Sequence, residues 1–182
     1  MTSWEPRFDV IGQLAALRRY AHSLARNEAD AEDLVHDALV RAYERRQTFK
    51  PGRDLRAWLL SVLHNVFVDS RRSHQAEIRR IERAADLAEP HHAPVQGLHV
   101  RLAQIRRAFM DLPEDQRAAL HLVAIEGLAF AEAAKALGIP LGTLMSRLAR
   151  ARAALRALED DRGEGGGKRP LRIVGGSDGR EG

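Results

Sequence analysis

The fold is decided by residues 130–152, which read FAEAAKALGIPLGTLMSRLARAR. Two small residues, Ala133 and Ala134, precede a turn marked by Gly138, and a second helical pattern begins just after Pro140. Helices that cross closely need small residues at the crossing and a glycine where the chain turns. The stretch therefore predicts a helix-turn-helix, with one helix over about 129–137 and the next over about 141–158.

The second of these helices is entirely positive. No acidic residue lies between Pro140 and Leu158, a stretch of 19 residues, whereas four arginines do: Arg147, Arg150, Arg152 and Arg156. An ordinary helical hairpin intersperses both signs of charge, so this pattern favours a polyanion such as DNA as the partner. Contacts to DNA concentrate in the first turns of such a helix. The candidate DNA-binding residues are Thr143, Ser146, Arg147, Arg150 and Arg152.

The composition excludes several classes of protein. The 182 residues include no cysteine, which excludes disulfides, thiol catalysis, iron–sulfur clusters and the usual structural zinc sites. No apolar run approaches the roughly 18 residues of a membrane span, and the first residues contain no signal-type apolar core. We therefore expect a soluble, cytoplasmic protein without a membrane span.

The net charge of +4 conceals an uneven distribution. Of the 29 basic residues 26 are arginine, a side chain suited to phosphates and base edges. A genome rich in G and C would also raise the arginine content, so only the positions of these residues are informative.

Apolar residues at helical spacing continue upstream of the helix-turn-helix, and nothing alternates as a strand would. The pattern predicts an all-α protein of two small helical domains, a three-helix-type bundle over 8–75 and a second domain over 101–158. Between them, residues 76–100 contain two prolines and few large apolar residues, as in a flexible linker. Residues 159–182 hold eight of the 14 glycines and predict a flexible tail.

An acidic cluster begins the second predicted helix, with Asp30, Glu32, Asp33 and Asp37 within eight positions. Acids near a helix start also complement the helix dipole. A metal site built on Asp33, His36 and Asp37 matches the usual ligand patterns poorly. The alternative to dipole complementarity is a protein-docking face, with these acids around an exposed Leu34 or Val35, and the sequence does not decide between the two.

A third group of candidates follows the turn at 49–53. Basic and amide side chains lie there near Trp58 and Phe67, a combination that can grip single-stranded nucleic acid: Arg53, Arg56, Asn65, Arg71 and Arg72. The spacing also places both aromatic residues on the apolar face of their helix, which predicts that they belong to the core. Two arginines at a helix end can simply complement the dipole.

Catalytic patterns are absent from the sequence. The eight histidines form no metal-ligand spacing, no glycine loop precedes a helix to hold phosphate, and no nucleophile–base pair stands out. We predict no enzyme activity, no metal and no cofactor.

The chain resembles the extracytoplasmic-function (ECF) RNA polymerase sigma factors over about residues 10–157. Three stretches, NEADAEDLVHDALVRAY from Asn27, LRAWLL from Leu55 and HNVFVDSRR from His64, look like their region 2. Two more, LPEDQR from Leu112 and GTLMSRLARAR from Gly142, look like their region 4.

This resemblance implies an alternative sigma factor that initiates transcription with core RNA polymerase at promoter DNA, under an anti-sigma factor. The acidic helix, with Asp30, Glu32, Asp33, Leu34 and Asp37, would dock on the polymerase. The turn at 49–54 and the helix after it would melt the minus-ten element and bind a flipped base, through Lys50, Arg53, Arg56, Asn65, Arg71 and Arg72. The last helix would read minus-thirty-five DNA.

The chain departs from the family pattern at three positions. Met145 stands where a basic residue is common, Ala149 where a larger side chain is common, and His36 where glutamine is usual. The turn Lys-Pro-Gly-Arg is similar to that of general-stress members, without defining a subgroup.

Two other functions compete with this one. A sigma-like decoy would bind an anti-sigma factor and not touch DNA, but it would not need the basic helix. A stand-alone helix-turn-helix repressor would leave the acidic helix unexplained. The proline-containing linker also predicts that the two domains move independently and that protease cleaves at about 85–97.

Overall fold

The computed structural model describes residues 9–81 and 99–163, apart from Arg26 and Pro51. These residues form seven α-helices: α1 (Leu14–Leu24), α2 (Glu28–Glu44), α3 (Leu55–Ile81), α4 (His99–Met110), α5 (Glu114–Leu120), α6 (Phe130–Ala136) and α7 (Leu141–Gly163). A π-helical turn, His121–Ile125, extends α5, and short 3₁₀ turns lie at Ile11–Gln13 and Arg46–Thr48. The described residues contain no strand, so the all-α prediction is confirmed.

Helices α1, α2 and α3 pack on one another as the first bundle. The Asn27 side chain accepts a hydrogen bond from the Asp30 amide at 2.8 Å and caps α2. The Asp54 carboxylate accepts one from the Arg56 amide at 2.8 Å and caps α3. Trp58 and Phe67 are partly buried against the core, as their spacing predicted. Helix α3 continues to Ile81, beyond the boundary expected at 75.

The second half is built on α7, which packs against α5 and α6 and contacts α4. Leu144 and Leu148 of α7 are almost fully buried. Gly138 joins α6 to α7 with a φ of +64°, in the left-handed region that glycine adopts without strain. This is the predicted helix-turn-helix. Helix α7 extends to Gly163, beyond the end expected at 158.

The two halves pack against each other, with α6 on α3 and α5 on α1. Their buried apolar residues form one continuous cluster. The two halves are therefore packed together in this structure, because each bundle buries apolar surface of the other, and their independent motion in solution stays a prediction. Residues 82–98 of the predicted linker and 164–182 of the predicted tail lie outside the described residues.

Candidate nucleic-acid and protein interfaces

Helix α7 presents a continuous outward face to solvent. Since a helix repeats every 3.6 residues, the exposed positions share one side: Gly142, Met145, Ser146, Ala149, Arg150 and Ala153. Arg156 is exposed within this outward face, and Arg150 and Arg152 are exposed at its two opposite edges. The Ser146 hydroxyl donates to the Gly142 carbonyl at 2.9 Å. Of the predicted DNA-binding residues, Ser146, Arg150 and Arg152 are exposed.

Arg147 lies just beyond the edge of this face, about 60° around the helix from Arg150. Its Nε is 3.1 Å from Oδ2 of Asp115 at the start of α5, and only 25% of its side chain is exposed. Thr143 is partly buried one turn before Arg147. These two residues are therefore less accessible than Ser146, Arg150 and Arg152, which are exposed.

The turn after α2 forms one wall of an open cavity of about 250 Å³. Lys50 and Arg53 line it, together with the rings of Phe49 and Trp58, whose centroids lie 5.5 Å apart. The opposite wall belongs to α6 in the second half and consists of Glu132, Lys135 and Ala136.

The other candidates for single-stranded DNA lie along α3. Asn65 and Arg72 are exposed. Arg71 forms an ion pair with Glu114 at the start of α5. Arg56 forms an ion pair with Glu126, which follows the π-helical turn. The structure thus splits the predicted residues of α3: Arg56 and Arg71 pair with acids of the second half, whereas Asn65 and Arg72 are exposed on another side of the helix.

The acidic cluster on α2 is exposed, whereas its expected apolar centre is not. Asp30, Glu32, Asp33 and Asp37 face solvent. Leu34 and Val35 are 7% and 3% exposed, so the prediction of an exposed apolar residue there is wrong. Their helical spacing from Ala31, Ala38 and Ala42 places them on the face that packs into the first bundle.

A buried ionic cluster joins the two halves. The Glu126 side chain is fully buried and accepts two hydrogen bonds from Arg19 of α1, from Nε and from a terminal nitrogen, each at 3.0 Å. Arg56 of α3 donates to the same carboxylate, and His121 Nε2 lies 3.3 Å from Glu126 Oε1. We call Arg19, Arg56, His121 and Glu126 the interdomain cluster. Sequence reasoning missed it, although an acid between apolar residues and Gly127 is a signal.

Electrostatics keep the Glu126 carboxylate charged. Burial acts to raise its pKa, but the hydrogen bonds and charges of Arg19 and Arg56 outweigh burial and lower it. Burial lowers the pKa of His121 to about 4. Glu126 acts to raise this pKa, whereas the charges of Arg19 and Arg56 act to lower it. Glu126 is thus a buried carboxylate whose negative charge is balanced by the guanidinium groups of Arg19 and Arg56.

A second buried polar contact lies beside this cluster. The Tyr20 hydroxyl is 3.0 Å from His64 Nδ1, and the Tyr20 ring centroid is 5.1 Å from that of His121. Burial, with a smaller effect of Arg147, lowers the pKa of His64 to about 4. Burial, with Glu114, raises the pKa of Tyr20 far above its usual range. The contact therefore joins neutral side chains from α1, α3 and the π-helical turn.

Comparisons with known proteins match both halves of the chain. Residues 13–77 match the model of sigma-70 region 2, and residues 102–155 match that of sigma-70 region 4. The ECF RNA polymerase sigma factor EcfG of Rhodopseudomonas palustris is 36% identical over 158 residues, which cover 84% of this chain and 83% of EcfG. The chain belongs to the family of ECF RNA polymerase sigma factors.

Solved structures of sigma factors superpose on this ECF sigma factor. The sigma factor RpoE of Bartonella quintana, solved in complex with the anti-sigma factor NepR, is 32% identical with a TM-score of 0.71, over 84% of this chain and 94% of RpoE. CnrH, solved with the cytosolic domain of CnrY, is 29% identical with a TM-score of 0.58, over 84% and 85% of the two chains.

As a sigma factor, the chain is a transcription regulator that works with core RNA polymerase and promoter DNA. Its first bundle is region 2 and its second half is region 4. None of the helices in the described ranges is long and apolar enough to cross a membrane.

Proposed function

We propose that this sigma factor divides promoter recognition between the outward face of α7 and the surface around the 49–54 turn. The observation that carries this proposal is the charge and burial of α7. Its apolar side, with Leu144 and Leu148, is packed away, and its other side carries only positive charge through the first four turns. A surface helix of this kind suits the major groove of duplex DNA.

The minus-thirty-five contacts are assigned to Ser146, Arg150 and Arg152. Arg150 is placed to reach base edges, because it borders the outward face two turns from the helix start. Arg152, on the opposite edge, is placed to reach phosphate. Arg147 is assigned to the support of α7 against α5, since it pairs with Asp115. Thr143 is partly buried and is left out of the assigned contacts.

The minus-ten contacts are assigned to the cavity and to the exposed part of α3. Lys50 and Arg53 supply positive charge beside the Trp58 and Phe49 rings, where an unstacked base can lie. Asn65 and Arg72 extend this surface along α3. Arg56 and Arg71 lie on another side of α3 and pair with Glu126 and Glu114, so we assign them to the contact between the two halves.

The polymerase contacts are assigned to the exposed acids of α2. Asp30, Asp33 and Asp37 are exposed negative charges that suit a basic partner, whereas the exposed Glu32 pairs with Arg18 at 3.1 Å. Leu34 contributes by holding α2 in the bundle, since its side chain is buried.

We also propose that an anti-sigma factor controls this chain, because RpoE and CnrH were each solved bound to a protein regulator: the anti-sigma factor NepR and the cytosolic domain of CnrY, respectively. The site of action proposed for the chain is the cytoplasm, with the polymerase. We propose no enzymatic activity for the chain itself.

Run-off transcription with purified core polymerase on a genomic promoter library tests the proposed function. We expect transcripts from a small set of promoters that require this chain, and loss of those transcripts with Arg150→Ala. A chain that binds core polymerase but starts no transcript at any promoter would be a decoy instead.

A further inference from the structure

Met145 is a large apolar side chain on the outward face of α7, where the other residues are small or charged. Its side chain is 44% exposed, and its neighbours on that face include Gly142, Ser146 and Ala149. One turn before it, Leu141 is 50% exposed on the same side of the helix. Neither Met145 nor Leu141 is packed into the core, so this apolar pair is open to a partner outside the chain.

The charge around this pair decides which class of partner fits it. No acidic residue lies between Pro140 and Leu158, and the exposed Arg150 and Arg152 lie at the two edges of the outward face. Positive charge on both sides complements the phosphates of duplex DNA and favours DNA over an apolar groove of a protein. The pair is also continuous with the surface to which we assign minus-thirty-five DNA, and the inference rests on that proposed function.

The chemistry of the Met145 side chain matches one feature of the major groove. Thymine presents its 5-methyl group there, whereas adenine, guanine and cytosine are distinguished by hydrogen-bond donors and acceptors. Met145 has no side-chain donor and its sulfur accepts only weakly, so it is a poor reader of those polar edges. Its unbranched, flexible chain adapts well to an apolar group whose position the duplex fixes.

We propose that Met145 selects a thymine of the minus-thirty-five element by contacting its 5-methyl group in the major groove. Met145 lies in the second turn of α7, among the first turns in which base contacts concentrate. Arg152 follows two turns later on the same side of the helix, where it is placed to reach phosphate. Met145 and Arg150 are about 140° apart around the helix, so we assign them to different base pairs.

Uracil in place of thymine isolates this contact, because it removes the 5-methyl group and leaves every hydrogen-bonding group of the base in place. Holoenzyme assembled from core polymerase and the full chain is titrated with promoter duplexes identified by run-off transcription. Each duplex carries uracil at one thymine of the minus-thirty-five element, on either strand. We expect one of these substitutions to weaken binding by up to about fourfold, the effect of burying one methyl group.

Variants of the chain assign the methyl contact to Met145. Met145→Ala should lose affinity for the thymine duplex and bind the thymine and uracil duplexes equally. Met145→Leu keeps an apolar side chain of similar volume and should retain part of the discrimination. Ile105→Ala is the matched control, since it removes a side chain that is 51% exposed on α4, and it should retain all of the discrimination. Circular dichroism verifies that each variant is folded.

Several results would overturn the inference. One is an element whose affinity is the same with uracil at every thymine, or which has no thymine on either strand. Another is full discrimination by Met145→Ala, because the methyl group would then contact a different residue. A third is weaker binding of Met145→Ala to core polymerase itself, which would make Met145 a protein contact. Failure of the proposed function is a separate result, because it appears as absent run-off transcription with the unmodified chain.

Discussion

Arg147 Nε lies 3.1 Å from Oδ2 of Asp115, so an ion pair links α7 to α5 within the second half of the chain. The neighbouring Ser146, one position earlier, faces solvent. A helical step of 100° is enough to move a side chain from the DNA side to the supporting side. This contact changes which arginine of α7 we expect to read the promoter.

Arg150→Ala should weaken binding to minus-thirty-five duplex DNA by about 1–3 kcal/mol and relax specificity at one base pair. The reason is its position on the border of the outward face. Fluorescence anisotropy with single-base variants of a run-off promoter measures both effects. Arg152→Ala is the comparison variant for a phosphate contact. It should weaken binding to all sequences by the same amount and reduce the slope of log affinity against log salt concentration by about 1.

Arg147→Ala should change promoter specificity little and lower the free energy of unfolding by at most about 1 kcal/mol, as for other partly exposed ion pairs. Asp115→Ala should have the same effect, and the double variant should not add the two losses. Urea unfolding measures these energies. Loss of base discrimination as large as that of Arg150→Ala would return Arg147 to the DNA-reading set.

Charge reversal of Asp33 and Asp37 to lysine should reduce core polymerase binding, because it turns the exposed acidic surface of α2 positive. Reversal of Asp69 and Asp111, which are exposed elsewhere, makes the same change in net charge and serves as the control. Pull-down or interferometry with core polymerase measures the effect. Equal binding by both double variants would rule out α2 as the docking surface.

Stability should fall as the pH is lowered from about 6.5 toward 4. The pKa values of His64 and His121 are about 4 when folded, against an ordinary value of 6.5. In this range the unfolded chain binds protons that the folded chain does not, so each histidine lowers the free energy of unfolding by about 1.4 kcal/mol per pH unit.

The charged and polar groups next to these two histidines also affect how the free energy of unfolding depends on pH. Tyr20 and Arg147 act at His64, and Glu126, Arg19 and Arg56 act at His121. Glu126, whose pKa is lowered, loses its stabilising charge only as the pH falls through its folded pKa. Urea unfolding from pH 7 to 4.5 measures the slope, which His121→Gln should reduce by about half. A flat profile would contradict the burial of both side chains.

The sequence predicted the all-α class and the helix-turn-helix, because those depend on spacing along one chain. It did not predict the interdomain cluster. Arg19 and Glu126 are 107 positions apart, and nothing in local periodicity relates them. Leu34 is buried although it was predicted to be exposed, and the cause is similar. Acids lie on several sides of α2, so its sequence does not reveal which side packs against another helix.

Gly138→Ala and Gly142→Ala should change stability in opposite directions. A Cβ at either position would contact no atom from outside its own stretch of chain within 4 Å, so tertiary packing plays no part in the difference. Gly138 has a φ of +64°, where an alanine is strained by about 1–2 kcal/mol. Gly142 lies in the first turn of α7, where alanine restricts the unfolded chain and gains up to about 1 kcal/mol.

Urea unfolding at constant m-value measures both changes. Gly138→Asn is the internal control, because asparagine tolerates the left-handed conformation better than alanine and should recover part of the loss. Two alanine variants that shift the midpoint in the same direction would mean that the turn between α6 and α7 does not hold its left-handed glycine. In that case the crossing of the helix-turn-helix would have to be fixed by Ala133 and Ala134 alone, both of which are buried.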